Sequence, residues 1–236
     1  MLDFKGKNIL IVGASSGIGY ELAKTLIASG ANVISASRNA PPDLAVKHLT
    51  FDLLTDSGSE LASIPQLDGV AYCVGSINLK PFGRLSQDDF LKDYQLNVLG
   101  AVKVIQQTIN ALKKSDTSSV VLFSTVAVAV GMNYHASIAA AKGAVEGLAK
   151  SLAAEFAVNK VRFNVIAPSL TDTPLAKNLL SSPEKKDTSA KRHPLGRVGI
   201  PSDIASAAAF LLSDQASWVS GQVIGIDGGM STLKPL

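Results

Sequence analysis

Cysteine, charge and long apolar runs are all scarce in this chain of 236 residues. The one cysteine, Cys73, excludes an internal disulfide framework and a zinc site built from several cysteines, and it is typical of a reducing compartment. We therefore expect a cytoplasmic protein. Only 17% of the residues are charged and the net charge is +3, without a basic stripe interleaved with aromatics, which argues against a nucleic-acid partner.

No stretch of the sequence has the length of a membrane span. The longest nearly apolar stretch, 120–132, is interrupted by Ser124, Thr125 and Gly131, and it is too short to cross a bilayer. The N-terminal segment carries acidic and basic residues before a short apolar run and has no small-residue cleavage site, so it does not resemble a signal peptide. We expect no membrane partner and one domain, 1–236, in which 47% hydrophobic residues fill the core.

Short β-branched runs alternate with helical patterns along the chain. The strands are expected at 8–12, 32–37, 48–53, 69–74, 119–124, 161–167 and 222–226. The main helices are expected at 17–29, 59–64, 98–112, 137–158 and 201–212. Because such alternation is typical of parallel sheets, the sequence predicts a doubly wound Rossmann-type α/β fold with seven parallel strands.

A glycine-rich turn joins the first predicted strand to the first predicted helix. It contains Gly13, Ala14, Ser15, Ser16, Gly17, Ile18 and Gly19. A turn of this kind lets a pyrophosphate approach the amide hydrogens at the helix N-terminus. The alternative is a tight turn that only packs a strand against a helix.

The second predicted strand ends at Ser37 and Arg38, where a dinucleotide-binding fold contacts the adenosine ribose. An acidic residue at this point would accept hydrogen bonds from the ribose hydroxyls and favour NAD. A hydroxyl and a guanidinium instead suit a 2′-phosphate, so the pair predicts NADP. The alternative is that Arg38 is a solvated residue at a strand end.

The whole chain, from GASSGIG to GRVGIPSDIA and VSGQVIGIDGG, resembles the classical short-chain dehydrogenase/reductase family. The resemblance implies an NADP(H)-dependent oxidoreductase that interconverts the carbonyl and alcohol forms of a small-molecule substrate. It assigns cofactor contacts to the glycine turn (Gly13, Ser15, Ser16, Gly17, Ile18 and Gly19), to Asp52 and Leu53 near the adenine, and to Gly75, Lys142, Pro168 and Thr173 near the nicotinamide.

The resemblance also assigns catalytic positions. Asn97 matches the asparagine that holds a proton-relay water, Thr125 takes the position of the catalytic serine, and Lys142 matches the lysine that binds the nicotinamide ribose. The chain departs from the family's pattern at Thr125, where threonine replaces serine and keeps a hydroxyl. It also has Tyr72-Cys73-Val74-Gly75 in place of the family's Asn-Asn-Ala-Gly, a change that affects stability more than chemistry.

The position four residues before Lys142 is Ile138, where the family has tyrosine. Residues four apart on a helix lie on one face, so a tyrosine would hold its phenol beside the ammonium, and the positive charge would lower the phenol pKa. Ile138 supplies no proton. This substitution favours an alternative function, a dinucleotide-binding protein without hydride transfer that acts as a sensor or an assembly partner.

Two nearby residues are candidates for the missing proton donor. Tyr134 lies about 12 Å from Lys142 along a helix axis, too far to sit beside the same ammonium. His135, on a continued helix, projects from nearly the same face as Lys142, and an imidazole acts as acid or base near neutrality. The alternative is a solvent-facing histidine at the helix entry.

Two further segments have expected roles. The helix predicted at 137–158 carries small residues on several faces, and the resemblance implies a homodimer or homotetramer through it and the helix at 98–112; the alternative is an alanine-rich helix inside a monomer. The resemblance places a substrate lid at 174–197, where excess positive charge could favour an acidic substrate or a carrier-linked acyl group. The interpretation we favour for this segment is a mobile, solvated loop.

Overall fold

The central strands are apolar on both faces, as the strands of a sheet covered on both sides must be. The computed structural model, which describes residues 2–234, contains a parallel sheet in the order β3-β2-β1-β4-β5-β6-β7. The strands are β1 (Asn8–Val12), β2 (Asn32–Ser37), β3 (Lys47–Thr50), β4 (Gly69–Tyr72), β5 (Ser118–Phe123), β6 (Val161–Pro168) and β7 (Val223–Ile226). The predicted doubly wound fold with seven parallel strands is confirmed.

Helices cover both faces of the sheet. They are α1 (Gly17–Ala28), α2 (Ser59–Ala62), α3 (Gln87–Tyr94), α4 (Gly100–Leu112), α5 (Ala136–Glu155), α6 (Pro183–Ala190) and α7 (Pro201–Leu212). Within residues 2–234, none is both long and apolar enough to cross a bilayer. Side chains alternate between the faces of a strand, so Ile9 and Ile11 pack with α1 and α7, whereas Leu10 and Val12 pack with α4 and α5.

The order of the strands reverses at the centre of the sheet. β1 is followed along the chain by β2 on one side, while β4 lies on its other side. The connections therefore leave in opposite directions at the carboxyl ends of β1 and β4, where a crevice opens. The turn that begins at Gly13 and the segment from Cys73 to Gly75 both start at this crevice.

Most predicted boundaries differ from the structure by one or two residues. The third strand, predicted at 48–53, already ends at Thr50, because the chain turns where the Asp56 carboxylate accepts from the Asp52 amide at 2.7 Å. The helix predicted at 98–112 begins at Gly100, after a π-helical turn at Gln95–Leu99. The helix predicted at 137–158 spans Ala136–Glu155.

Two helices were not predicted, and both are short and polar. α3 begins with a capping box, in which Ser86 and Asp89 each accept from the other's backbone amide. α6 lies within 174–197, and Ser182 caps it ahead of Pro183. The interpretation of 174–197 as a loop is therefore wrong for 183–190, where a cap and a first-turn proline stabilise a helix.

Candidate active site

The glycine turn packs the start of α1 closely against the end of β1. A Cβ atom on Gly19 would overlap the carbonyl oxygen of Gly13 and would lie 3.1 Å from Cβ of Cys73. Gly17, with φ of +58°, has a left-handed backbone that side chains disfavour. At Gly13 and Gly17 the turn therefore presents backbone without a side chain to a ligand.

The N-terminus of α1 is free of side-chain caps. Ser16 has extended backbone angles and makes no side-chain capping hydrogen bond, and the first turn contains no acidic residue. The first backbone N–H groups of a helix lack intrahelical partners and carry partial positive charge. Together with the turn of Ser15 and Gly17, this end of the helix fits a phosphate group.

The ends of β2 and β3 carry the residues assigned to the adenosine. Arg38 is exposed, and Ser37 donates its hydroxyl proton to the Asn39 carbonyl at 2.8 Å. Asp52 uses Oδ1 to accept from the Leu54 amide at 2.9 Å. The side chain of Leu53 is buried in the core, so only its backbone is left for contact with a ligand.

A cavity of about 520 Å³ lies at the carboxyl ends of β4, β5 and β6. Seven of the predicted site residues line it: Ile18, Gly75, Thr125, His135, Lys142, Pro168 and Thr173. Most of the other lining side chains are apolar, among them Ile77, Leu79, Val126, Met132, Ile138, Leu170, Leu175, Leu179 and Met230. The cavity thus combines a polar end near Lys142 with largely apolar walls.

Lys142 supplies the cation at the polar end. Its side chain is 6% exposed, and Nζ donates to the Phe123 carbonyl at 2.8 Å. Burial lowers the pKa of Lys142 to about 8, and the negative charge of Asp93 opposes that effect. A Cβ atom added to Gly75 would lie 3.4 Å from Lys142 Nζ and 3.5 Å from Asn97 Oδ1, so both atoms face the same space beside this glycine.

Asn97 lies behind Gly75 and is fully buried. Nδ2 donates to the Asp93 carbonyl at 2.8 Å and to Ser76 Oγ at 3.0 Å. Oδ1 is buried and has no hydrogen-bond partner within residues 2–234. Since such an acceptor is normally satisfied by a water or a ligand, this atom suits the contact predicted for Asn97.

Thr125 lines the cavity at the end of β5. Its Oγ1 accepts from the Ala127 amide at 3.3 Å and so caps the short 3₁₀ turn Val126–Val128. The hydroxyl proton is not used in that contact, so it is available to an oxygen atom in the cavity.

Ile138 and His135 line the same cavity, although the helix does not reach His135. Ile138 is 5% exposed and contributes only carbon atoms. α5 begins at Ala136; Tyr134 has φ of +70° and His135 is non-helical, so the premise of a continued helix is wrong. His135 Nδ1 lies 2.7 Å from the Asn133 carbonyl. A carbonyl only accepts, which assigns the imidazole proton to Nδ1 and leaves Nε2 without one in the neutral ring.

A buried network next to Asn97 was missed in the sequence. Ser76 donates to Oδ1 of Asp93 at 2.7 Å, and Ser137 donates to Oδ2 at 2.6 Å. Asp93 precedes Asn97 by four residues, which places both on one helical face, and that spacing was the available signal.

His193 links the segment 174–197 to the end of β6. Its Nε2 lies 2.8 Å from Ser169 Oγ and its Nδ1 lies 2.8 Å from the Ser189 carbonyl, and the side chain is buried. Beside it, Lys185 and Arg192 line the cavity with one acidic residue, Glu184. The segment 174–197 therefore supplies more positive than negative charge to the cavity wall.

Comparisons with known proteins find relatives that match most of the chain. The family model described as enoyl-(acyl carrier protein) reductase matches residues 58–231. A tropinone reductase homologue of Arabidopsis thaliana is 33% identical over 97% of this chain and 80% of its own length. The 3-oxoacyl-(acyl-carrier-protein) reductase of Chlamydia muridarum is 32% identical over 95% of this chain and 97% of its own length.

A solved structure shows the same architecture. It is a Beutenbergia cavernae protein assigned as an NAD(P) dependent gluconate 5-dehydrogenase, with NADP bound at low occupancy. The two chains superpose with a TM-score of 0.89 at 28% identity, over 97% of this chain and 98% of the other.

Proposed function

Because the chain belongs to the classical short-chain dehydrogenase/reductase family, we propose that it is an NADP(H)-dependent oxidoreductase that interconverts a carbonyl and an alcohol. The observation that carries this proposal is the convergence of Lys142 Nζ and Asn97 Oδ1 beside Gly75, at a cavity that Thr125 lines. A bound nicotinamide would supply or accept the hydride.

The residues that would hold the cofactor are spread over the carboxyl ends of the strands. The uncapped N-terminus of α1 and its glycine turn accommodate the phosphates. Arg38 accommodates the 2′-phosphate, which favours NADP over NAD. Pro168 and Thr173 line the cavity and would lie beside the nicotinamide, and Lys142 would contact its ribose.

The chain's own polar groups handle charge and protons during the reaction. The Thr125 hydroxyl donates to the oxygen that gains negative charge when the carbonyl is reduced. The proton for that oxygen comes from His135 or from a water held by Asn97 and Lys142. The water route is favoured because Oδ1 of Asn97 is a buried acceptor without a protein donor among residues 2–234.

The apolar cavity walls limit the kind of substrate that fits. Apolar side chains such as Leu79, Met132 and Leu179 favour a small molecule with an apolar body around its carbonyl.

The outer side of α5 has open space at Gly147, which suits the close approach of a second copy. The protein is thus proposed to form a homodimer or homotetramer through α4 and α5.

The test combines cofactor titration with turnover. NADPH and NADH are titrated by fluorescence, and a panel of ketones and aldehydes is incubated with NADPH while nicotinamide absorbance is followed. Arg38→Ala should weaken NADPH binding roughly tenfold and leave NADH binding unchanged. Lys47→Ala, at the opposite end of the neighbouring strand, should change neither. Equal or better affinity of the parent protein for NADH would refute the NADP assignment.

Ile138 favours a second candidate, a dinucleotide-binding sensor or assembly partner without hydride transfer. The side chain facing the cavity one helical turn before Lys142 has no proton to give. This candidate becomes the better one if the parent protein and Ile138→Tyr both bind NADPH and neither oxidises it with any carbonyl of the panel.

A further inference from the structure

Asp93 is a buried carboxylate that the proposed reaction does not use. Its side chain is 3% exposed and accepts from Ser76 Oγ at 2.7 Å, Ser137 Oγ at 2.6 Å and Asn78 Nδ2 at 3.3 Å. Ser76 and Asn78 follow β4, Ser137 lies in the first turn of α5, and Asp93 itself belongs to α3. Burying a carboxylate is costly unless it is well hydrogen-bonded, so these three segments are held together around one charge.

The donors and acceptors of this network have a fixed order. An ionised carboxylate only accepts, so the Ser76 hydroxyl must donate to Asp93, and Ser76 Oγ then accepts from Asn97 Nδ2 at 3.0 Å. The Asp93 carbonyl accepts from the same Nδ2 at 2.8 Å. With the amino side of the amide held twice, Oδ1 of Asn97 faces the space beside Gly75, which Lys142 Nζ also faces.

We propose that Asp93 is a positioning residue that acts through Ser76 to orient Asn97 and keep its Oδ1 directed at the space beside Gly75 that Lys142 Nζ also faces. The kinetic part of this inference rests on the proposed oxidoreductase function. The structural part concerns residues of this chain alone, so it is measurable on the free protein.

The charge of Asp93 also reaches Lys142. The titratable groups near Lys142 are Asp93 on α3, Cys73 after β4 and His135 before α5. Near Asp93 itself, Asp89 is paired with Lys80 at 2.6 Å, and Asn78 bridges the two carboxylates. The Asp93 charge raises the pKa of Lys142 against the effect of burial. Loss of that charge therefore favours the neutral amine.

Two serine variants separate positioning from general stability. Ser76→Ala removes the hydroxyl that links the Asp93 carboxylate to Asn97. Ser137→Ala removes a hydroxyl that donates to the same carboxylate but makes no hydrogen bond with Asn97. Ser76→Thr keeps the hydroxyl and serves as the rescue. Melting temperature and NADPH affinity are measured for all three. Both alanine variants should melt a few degrees lower, because each loses a hydrogen bond to the same buried carboxylate, and Ser76→Ala also loses the bond from Asn97 Nδ2.

The decisive readouts are specific to the polar end of the cavity. Ser76→Ala should speed hydrogen exchange of the Asn97 side-chain amide and lower kcat roughly 10- to 100-fold with KM within about twofold, in line with the usual effect of losing an orienting hydrogen bond. Ser137→Ala should leave exchange unchanged and kcat within about threefold. Asp93→Asn should lower the Lys142 pKa by roughly one unit in the free protein, observed by NMR with ¹⁵N-labelled lysine.

The outcomes distinguish this inference from the proposed function. If the parent protein turns over substrate and Ser76→Ala loses no more kcat than Ser137→Ala, the inference is overturned while the function stands. The inference is also overturned if Asn97 exchange and the Lys142 pKa stay unchanged in Ser76→Ala and Asp93→Asn. If both change as expected while no protein oxidises NADPH, the positioning role is supported and the oxidoreductase proposal fails.

Discussion

Replacing Ile138 by tyrosine would restore a phenol one helical turn before Lys142. Ile138 is 5% exposed and lines the cavity of about 520 Å³, so the ring of a tyrosine at this position would project toward that space. Lys142 Nζ lines the same end of the cavity. A phenol beside that ammonium would have a lowered pKa and would be able to donate to a developing alkoxide.

The size of the effect follows from two opposed contributions. A general acid is worth roughly 10²- to 10⁴-fold in rate, whereas fitting a larger side chain into a packed site costs about 1–3 kcal/mol of stability. The open cavity lets the ring avoid most of that cost, so we expect kcat to rise about 100-fold at neutral pH. The pKa of Lys142 is about 8, so the ammonium is present below that pH and the gain should shrink as the pH rises through it.

The assay is single-turnover oxidation of NADPH with the most reactive ketone of the panel, between pH 6 and 10. Ile138→Phe is the matched control, since it adds the ring without the hydroxyl. If the phenylalanine variant accelerates the reaction as much as the tyrosine variant, the gain comes from shape rather than from proton donation. No gain in Ile138→Tyr despite intact NADPH binding would refute the reasoning about the missing acid.

Two further substitutions test the glycine turn and the second proton donor. Gly19→Ala should destabilise the protein by about 2 kcal/mol or more in thermal denaturation and abolish NADPH binding, because its Cβ meets the Gly13 carbonyl oxygen. Gly83→Ala, at an exposed position with open space around it, should change the stability by less than about 0.5 kcal/mol. His135→Ala should change kcat by less than about threefold if a water near Asn97 is the proton source; a loss of two to four orders of magnitude would identify the imidazole as the donor.

The fold was predictable from the sequence because its signals are local and repeated. The apolar run before Gly13 and the helical spacing after Gly17 each indicate their own element, and the alternation of such elements indicates a parallel sheet. Strand ends were less predictable. Leu53 continues an apolar run, but the Asp52 and Asp56 hydrogen bonds turn the chain before it.

The polar helices were missed for a different physical reason. α3 and α6 have eight residues each and expose most of them, so no apolar stripe appears in the sequence. Their starts are fixed by hydrogen bonds at Ser86 and Ser182, and a serine of this kind is equally typical of a turn. Helix formation here depends on which backbone amide the serine accepts from, and composition does not reveal that.

The candidate site likewise contains residues that the sequence predicts and others that it does not. The positions of Gly19 and Lys142 at the crevice were predictable, because each lies in a short motif that the resemblance matches within one stretch of the chain. The orientation of Asn97 was not, since it depends on a hydroxyl after β4 and a carboxylate on α3 that meet only in the folded protein. In a site with Ile138, no phenol shares the Lys142 ammonium. The charge of Asp93 then contributes more to keeping Lys142 protonated. The Asn97 oxygen contributes more to keeping the ammonium directed at the cavity.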